Sequence, residues 1–192
     1  MRRIVACWLA GWLAGLMAAG LVAASEAAPV APLEFDGARL GMSLEQWKAL
    51  PPPGPKGGRD ASVCAKSAQG ALACSYAARY GSFILPEPVS LEGHYLARRA
   101  AYDFVGGKLA CIEFRSSVDA FNVLMARMKA QYGAPTRTMR DSIEAAGVEL
   151  PRVRVAWDLP AGHVLLTDPS SNPDRLMVQL TVNGGAGACS PA

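Results

Sequence analysis

The chain has 192 residues, 51% of them hydrophobic and 18% charged, and a formal net charge of +3. So balanced a charge excludes the basic footprint of a nucleic-acid-binding domain and the strongly basic surface of a membrane-seeking one. Beyond the first few residues Arg98-Arg99 is the only adjacent basic pair, too small a cluster to change that.

In chain order, Arg2 and Arg3 precede an apolar run from Ile4 to Ala24, and the chain turns polar at Ser25-Glu26. A charged start, an apolar stretch and small residues at the exit describe a secretory signal peptide over residues 1–27. Ser25 and Ala27 fit the minus-three and minus-one positions of a cut before Ala28, and Val22 with Ala24 fit an earlier one. The run is also long enough to span a bilayer, so membrane contact is expected only if the leader is retained. No cysteine stands at the exit, and Cys7 leaves with the leader. The remaining chain, about 165 residues, suits one domain burying roughly 70% of its unfolded surface, in the periplasm or secreted.

Residues 28–37 read as an N-terminal tether, residues 38–183 as a single domain and residues 184–192 as a flexible Gly/Ala-rich tail. Within the domain, Ser43 and Gln46 form a capping box, and Met42 and Trp47 stand where a hydrophobic staple holds the entering chain. They predict a short helix ended by Pro51-Pro52-Pro53. Gly54 to Arg59 is an exposed loop. Strands are expected at 62–65, 72–78, 83–85 and 95–104, interrupted by Pro86 and Pro88.

Tyr102 to Pro135 is the best-specified stretch, a β-hairpin feeding an amphipathic helix. A three-residue loop, Val105-Gly106-Gly107, with a bulge at Lys108 puts Tyr102, Phe104, Ala110, Ile112 and Phe114 on one face and Arg99 opposite Glu113. Cys111 then points to the other face. Ser116 or Ser117 caps the helix, Asp119 suits its positive end, and Gly133 and Pro135 stop it. Val118, Phe121, Leu124, Met125, Met128 and Tyr132 form one stripe, expected to lie on Phe104, Ile112 and Phe114. Farther on, Val153, Val155, Trp157 and Leu159 alternate with polar residues, and Val164 to Thr167 and Leu176 to Val182 follow as strands. The whole predicts an α+β fold, an antiparallel sheet with two helices packed on one face and a helix–meander unit given twice.

Four cysteines remain after the leader, and an even number in an exported chain favours disulfides. Cys64 and Cys74 flank a turn between two strand-like runs, which predicts their pairing. By elimination Cys111 pairs with Cys189 and ties the tail across the outer face of the central hairpin. A free, nucleophilic Cys111 is the sharper alternative.

Gly41-Met42-Ser43-Leu44-Glu45-Gln46, followed by an apolar helix, resembles the opening of the small periplasmic SmpA/OmlA-type outer-membrane assembly domains. The helix-then-meander arrangement is similar to the β-lactamase inhibitor proteins. The resemblance implies a module that binds another protein and supplies no catalytic residues to carry over. The lipid-bearing cysteine of the outer-membrane proteins is missing here, and Pro51-Pro52-Pro53 replaces their short Gly-containing turn.

No sequence motif for catalysis, a cofactor or a metal appears: His94 and His163, the two histidines, lie in expected turns without metal or triad spacing. Asp168, Ser170, Asn172 and Asp174 alternate as calcium ligands do, but Pro173 and Gln179 stand where the loop needs glycine and glutamate, so a proline-rich turn is expected. The resulting expectation is a non-enzymatic envelope module that docks another envelope protein and no nucleic acid. The alternatives are a small-ligand binder with His94, Tyr95, Arg98 and Arg99 at its rim, or an inhibitor of a secreted enzyme acting through Pro51 to Asp60.

Overall fold

The computed structural model describes residues 31–51, 59–66, 70–80, 83–86, 89–91, 94–184 and 189, the side chains at 59–62, 77–80, 83–86, 89–91 and 94–99 excepted. The leader at 1–27 therefore lies outside the described residues, as does most of the loop proposed for inhibition. A small ribbon, β1 (Glu34–Phe35) and β2 (Ala38–Arg39), leads into α1 (Leu44–Lys48). Six strands follow: β3 (Arg59–Lys66), β4 (Leu72–Tyr80), β5 (Phe83–Pro86), β6 (Val89–Leu91), β7 (His94–Val105) and β8 (Lys108–Ser117). A 3-10 turn (Val118–Ala120) opens α2 (Phe121–Tyr132), and β9 (Arg137–Ala145), β10 (Val148–Leu159), β11 (Gly162–Asp168) and β12 (Arg175–Val182) complete the chain. Eight strands run side by side in the order β3-β4-β7-β8-β12-β11-β10-β9, with β5 beside β4 and β6 beside β7.

This architecture overturns the α+β expectation of two helices packed on one face of a sheet. The protein is mostly antiparallel β, built on one ten-stranded sheet in which the strands of both halves join through β8 and β12. The sequence reading missed β6, which is only three residues long, and β9, which is exposed at six of nine positions, so burial leaves no period-2 signal there. The tether assigned to 28–37 also fails at its C-terminal end. Leu33 and Phe35 are buried in the core, and the Phe35 ring stacks on Phe114 with centroids 4.1 Å apart.

The capping box forms as the sequence predicts. The Gln46 amide donates to the Ser43 hydroxyl at 3.2 Å and the Ser43 amide donates to the Gln46 side chain at 2.7 Å. Two satisfied amides stabilise a helix of only five residues, and burial of Trp47 adds more. Its indole is fully buried against Tyr76, Tyr102 and Phe104 at 4.5, 5.0 and 5.8 Å between centroids.

The central hairpin exists, but with a different turn. Val105 faces Lys108 and Phe104 faces Leu109 across a two-residue Gly106-Gly107 turn with φ of 57° and 76°. Positive φ at both positions matches the twist of the flanking strands and is open to glycine without strain. The register then shifts by one, so that Asp103 faces Cys111 and Tyr102 faces Ile112. That bulge lets Leu109 and Ile112, an odd number of residues apart on one strand, both enter the core. Two consequences differ from expectation: Ala101, not Arg99, stands opposite Glu113, and Ala110 packs on the outer side with Cys111. The backbone of residues 41–43 anchors the bulge, with the Gly41 amide donating to the Leu109 carbonyl at 2.7 Å and the Leu109 amide to the Met42 carbonyl at 2.9 Å.

Ser117 does not cap the helix through its side chain; its hydroxyl donates to the Asp119 carboxylate at 3.2 Å, and α2 begins after the 3-10 turn. At the other end Gly133 has φ 82° and its amide donates to the Lys129 carbonyl, the stop expected of glycine. Leu124 and Met128 are buried in one core cluster with Phe104, Ile112 and Phe114, and the partly buried Phe121 and Met125 pack against it. That cluster continues through Val155, Trp157, Val164, Leu166, Leu176, Val178 and Leu180, the inward residues of β10 to β12. The Trp157 indole donates to the Gly133 carbonyl at 2.9 Å, so the end of α2 and the middle of β10 are fixed together.

Candidate functional site

The face of the sheet away from the core is set by the same alternation that fills the core. Across β10 to β8 the register aligns Asp158, His163, Thr181 and Cys111 in one row, and Ala156, Leu165, Gln179 and Glu113 in the next. Arg137 of β9 extends the second row opposite Ala156. These rows enclose an open groove of about 460 Å³, lined by Arg137, Asp158, His163, Gln179, Thr181 and Cys189 among others.

Two disulfides are closed, Cys64–Cys74 at 2.10 Å and Cys111–Cys189 at 1.99 Å between sulfurs. The first joins directly opposite residues of β3 and β4. The second fastens Cys189 to the outer face, where both cysteines pack with Ala110 and Val182. Cys111 is fully buried, and a disulfide sulfur is not the thiolate that a nucleophile requires.

Asp158 is the most connected polar group of the groove. Its Oδ1 lies 2.8 Å from Nδ1 of His163, and its Oδ2 accepts from the Thr136 hydroxyl at 3.0 Å. Its amide donates to the same Thr136 oxygen at 3.0 Å, and the Arg137 guanidinium stands 3.7 Å from Oδ2. The hydrogen bond from His163, followed by that from Thr136, holds the Asp158 carboxyl below its ordinary pKa. This arrangement follows from the β10–β11 turn: Leu159 pairs with Gly162, which sets Asp158 opposite His163. Gly162 has φ 151°, and a Cβ there would collide with the Thr181 carbonyl, so the turn admits only glycine without rearrangement.

Toward the middle of the sheet, Gln179 donates to Glu113 at 2.9 Å and Arg115 approaches the other Glu113 oxygen at 3.3 Å. On the β9 side, Arg152 binds Asp141 through two nitrogens at 2.7 and 2.9 Å, and Arg154 adds a third contact at 2.6 Å. The Arg152 hydrogen bond, the largest influence, lowers the Asp141 pKa. The outer face is thus a set of charges held by one another.

The residues the sequence proposed for a rim share one strand. His94, Tyr95, Arg98 and Arg99 all lie on β7, with His94 the first residue of the strand and not in a turn; their side chains are outside the described residues. Leu96, two positions along, is level with Ser116, whereas His163 is level with Cys111. Five residues of strand, roughly 17 Å at ~3.4 Å each, separate these levels, so the two histidines do not converge. His163 itself sits on a strand beside Asp158. A two-residue turn at Pro160-Ala161 was the one signal for that pair, and it was masked by the longer turn read through His163.

The Asp168 to Asp174 segment is a turn: Asn172 accepts from the Asp174 amide at 2.9 Å, and the Ser170 amide donates to the Arg175 carbonyl at 2.6 Å. No group of three or more His, Cys, Asp or Glu side chains with metal-site geometry occurs among the described residues. Among those residues no helix is long and apolar enough to cross a membrane. Neither family models nor curated proteins nor solved structures give a match to this chain.

Proposed function

We propose that this protein is an exported, non-enzymatic interaction module of the bacterial cell envelope, and that the outer face of β8 to β12 docks another envelope protein. The observation that carries the reading is the division of the sheet. One face holds the large apolar side chains in a continuous core; the other carries an open groove of mixed apolar and polar lining, and charged groups in and around it are fixed by Asp158–His163, Glu113–Gln179 and Asp141–Arg152 contacts. A preorganised surface loses little side-chain entropy on binding, which favours recognition. Two disulfides support an oxidising, non-cytoplasmic compartment, and the periplasm is the location this reading adopts. The resemblance to SmpA/OmlA-type domains points the same way.

A site-resolved crosslink tests the proposal. A photoreactive residue at Leu165, in the groove, is expected to trap one defined envelope protein, while the same residue at Asn122, on the exposed side of α2, traps none. Equal labelling from both positions sinks the reading. A second reading has one observation in its favour: about 460 Å³ falls within the range of small-molecule pockets. Thermal stabilisation by a metabolite, abolished by His163→Ala without any protein adduct at Leu165, supports that reading instead.

A further inference from the structure

The outermost strand of the sheet has a feature that the docking face does not explain. β9 ends the strand order, and among the described residues no strand pairs with its free edge. It is nine residues long, and it pairs with β10 from Ala145↔Val148 to Arg137↔Ala156 without a register shift. Edge strands are ordinarily blunted by a bulge, a proline or shortness. β9 has none of these; it does carry charged residues, the other common guard of an edge, at Arg137, Arg140, Asp141 and Glu144, and so is a template only for a strand of complementary charge.

Its charges say which strand. Arg137 stands beside Asp158, and Asp141 is neutralised by Arg152 and Arg154. Arg140 and Glu144 have no ion pair among the described residues. Both are exposed, and they flank Ser142 at equal distance on the same face. In an antiparallel pair, residues opposite each other share a face, so a two-fold axis between two β9 strands sets one residue opposite itself. Centring on Arg140 opposes two arginines, and centring on Asp141 opposes two aspartates. Centring on Ser142 opposes Arg140 with Glu144 of the second copy, twice, and Met139 with Ala145, twice. This register satisfies both unpaired charges of the strand at once.

From the free edge and this self-complementarity we infer that the protein forms a two-fold homodimer by antiparallel pairing of β9 with β9 about Ser142, joining two sheets into one. The contact lies at the rim of the outer face and leaves the groove between β10 and β12 open in each copy. Each cross-strand charge pair is a modest contribution, but symmetry doubles it.

Sedimentation of the full oxidised chain tests this. The wild type is expected to sediment as a concentration-dependent dimer. Arg140→Glu sets a new carboxylate against Glu144 twice and is expected to weaken the dimer roughly tenfold or more; Glu144→Arg does the same by opposing two guanidinium groups. The double variant Arg140→Glu/Glu144→Arg restores opposite charges and is expected to restore the dimer. Both positions are exposed, so the melting temperature of the dilute monomer checks that each variant is folded. A wild type that stays monomeric at its solubility limit overturns the inference. So does a dimer indifferent to Arg140→Glu, or a double variant no better than either single one.

Discussion

Two hairpins in this molecule share a turn type and differ in nearly everything else. β7–β8 turns at Gly106-Gly107 and β9–β10 at Ala146-Gly147, and both turns have positive φ at both central residues. The first is flanked by β4 and β12 and buries Tyr102, Phe104, Leu109, Ile112 and Phe114. The second reaches past its neighbour: β11 pairs with β10 only from Val153 to Leu159, so 148–152 and their partners on β9 form a two-stranded arm. Val148, near its tip, is 56% exposed. A two-stranded ribbon is marginal by itself in water. A turn supplies geometry, while stability comes from the strands and side chains stacked on either side.

Paired substitutions break that comparison most sharply. Phe114→Ala removes a buried ring stacked on Phe35 and is expected to cost about 3–5 kcal/mol, a large share of the stability of a domain this size. Ile143→Ala, on the arm, is expected to cost below about 1 kcal/mol. Urea unfolding of both variants measures the gap, and similar losses would show that the arm is as integral as the central hairpin.

The disulfides sharpen the same contrast at smaller scale. Cys111–Cys189 spans 78 residues and Cys64–Cys74 spans 10. In the chain-entropy picture, removing the long-range bond by double Ser substitution costs about 4 kcal/mol and removing the short-range one about 3 kcal/mol. A larger loss from the Cys64–Cys74 variant would show that local strand geometry outweighs loop closure. Melting curves without reductant supply the comparison.

The smallest effect concerns pH. The Asp141 carboxyl is held below its ordinary value of 3.8, chiefly by Arg152, so the folded state binds that proton less readily than the unfolded chain. Its contribution is present above the unfolded pKa and is lost as pH falls through the lowered one. Asp141→Asn is therefore expected to flatten the acid limb of stability below about pH 4, with Asp158 supplying what remains. An unchanged acid limb in that variant would show that the arm's ion pairs are screened by solvent. Urea midpoints at stepped pH resolve it.

Local signals were readable where they lie within a few residues of one another. Ser43 and Gln46 announced α1, Gly133 the end of α2, and the alternation of Val153 to Leu159 the buried half of β10. The cysteine pairs were readable because the four cysteines after Cys7 allow only three connectivities and two of them, Cys64 and Cys74, flank one turn. Less of the candidate groove was readable: His163 is expected in a turn, and only a two-residue turn at Pro160-Ala161, in place of the four-residue one, sets it beside Asp158.

What the chain order alone established was a set of elements with one apolar side each, because helix caps, glycine turns and side-chain periodicity act within one or two turns of backbone. Strand neighbours came from the folded molecule: the joining of β8 to β12, the bulge at Leu109 held by residues 41–43, and the exposed edge at β9. Those choices compare burial and hydrogen bonding between segments far apart in sequence. Local propensity has no term for that difference, and a one-residue bulge is enough to reverse which face a side chain occupies.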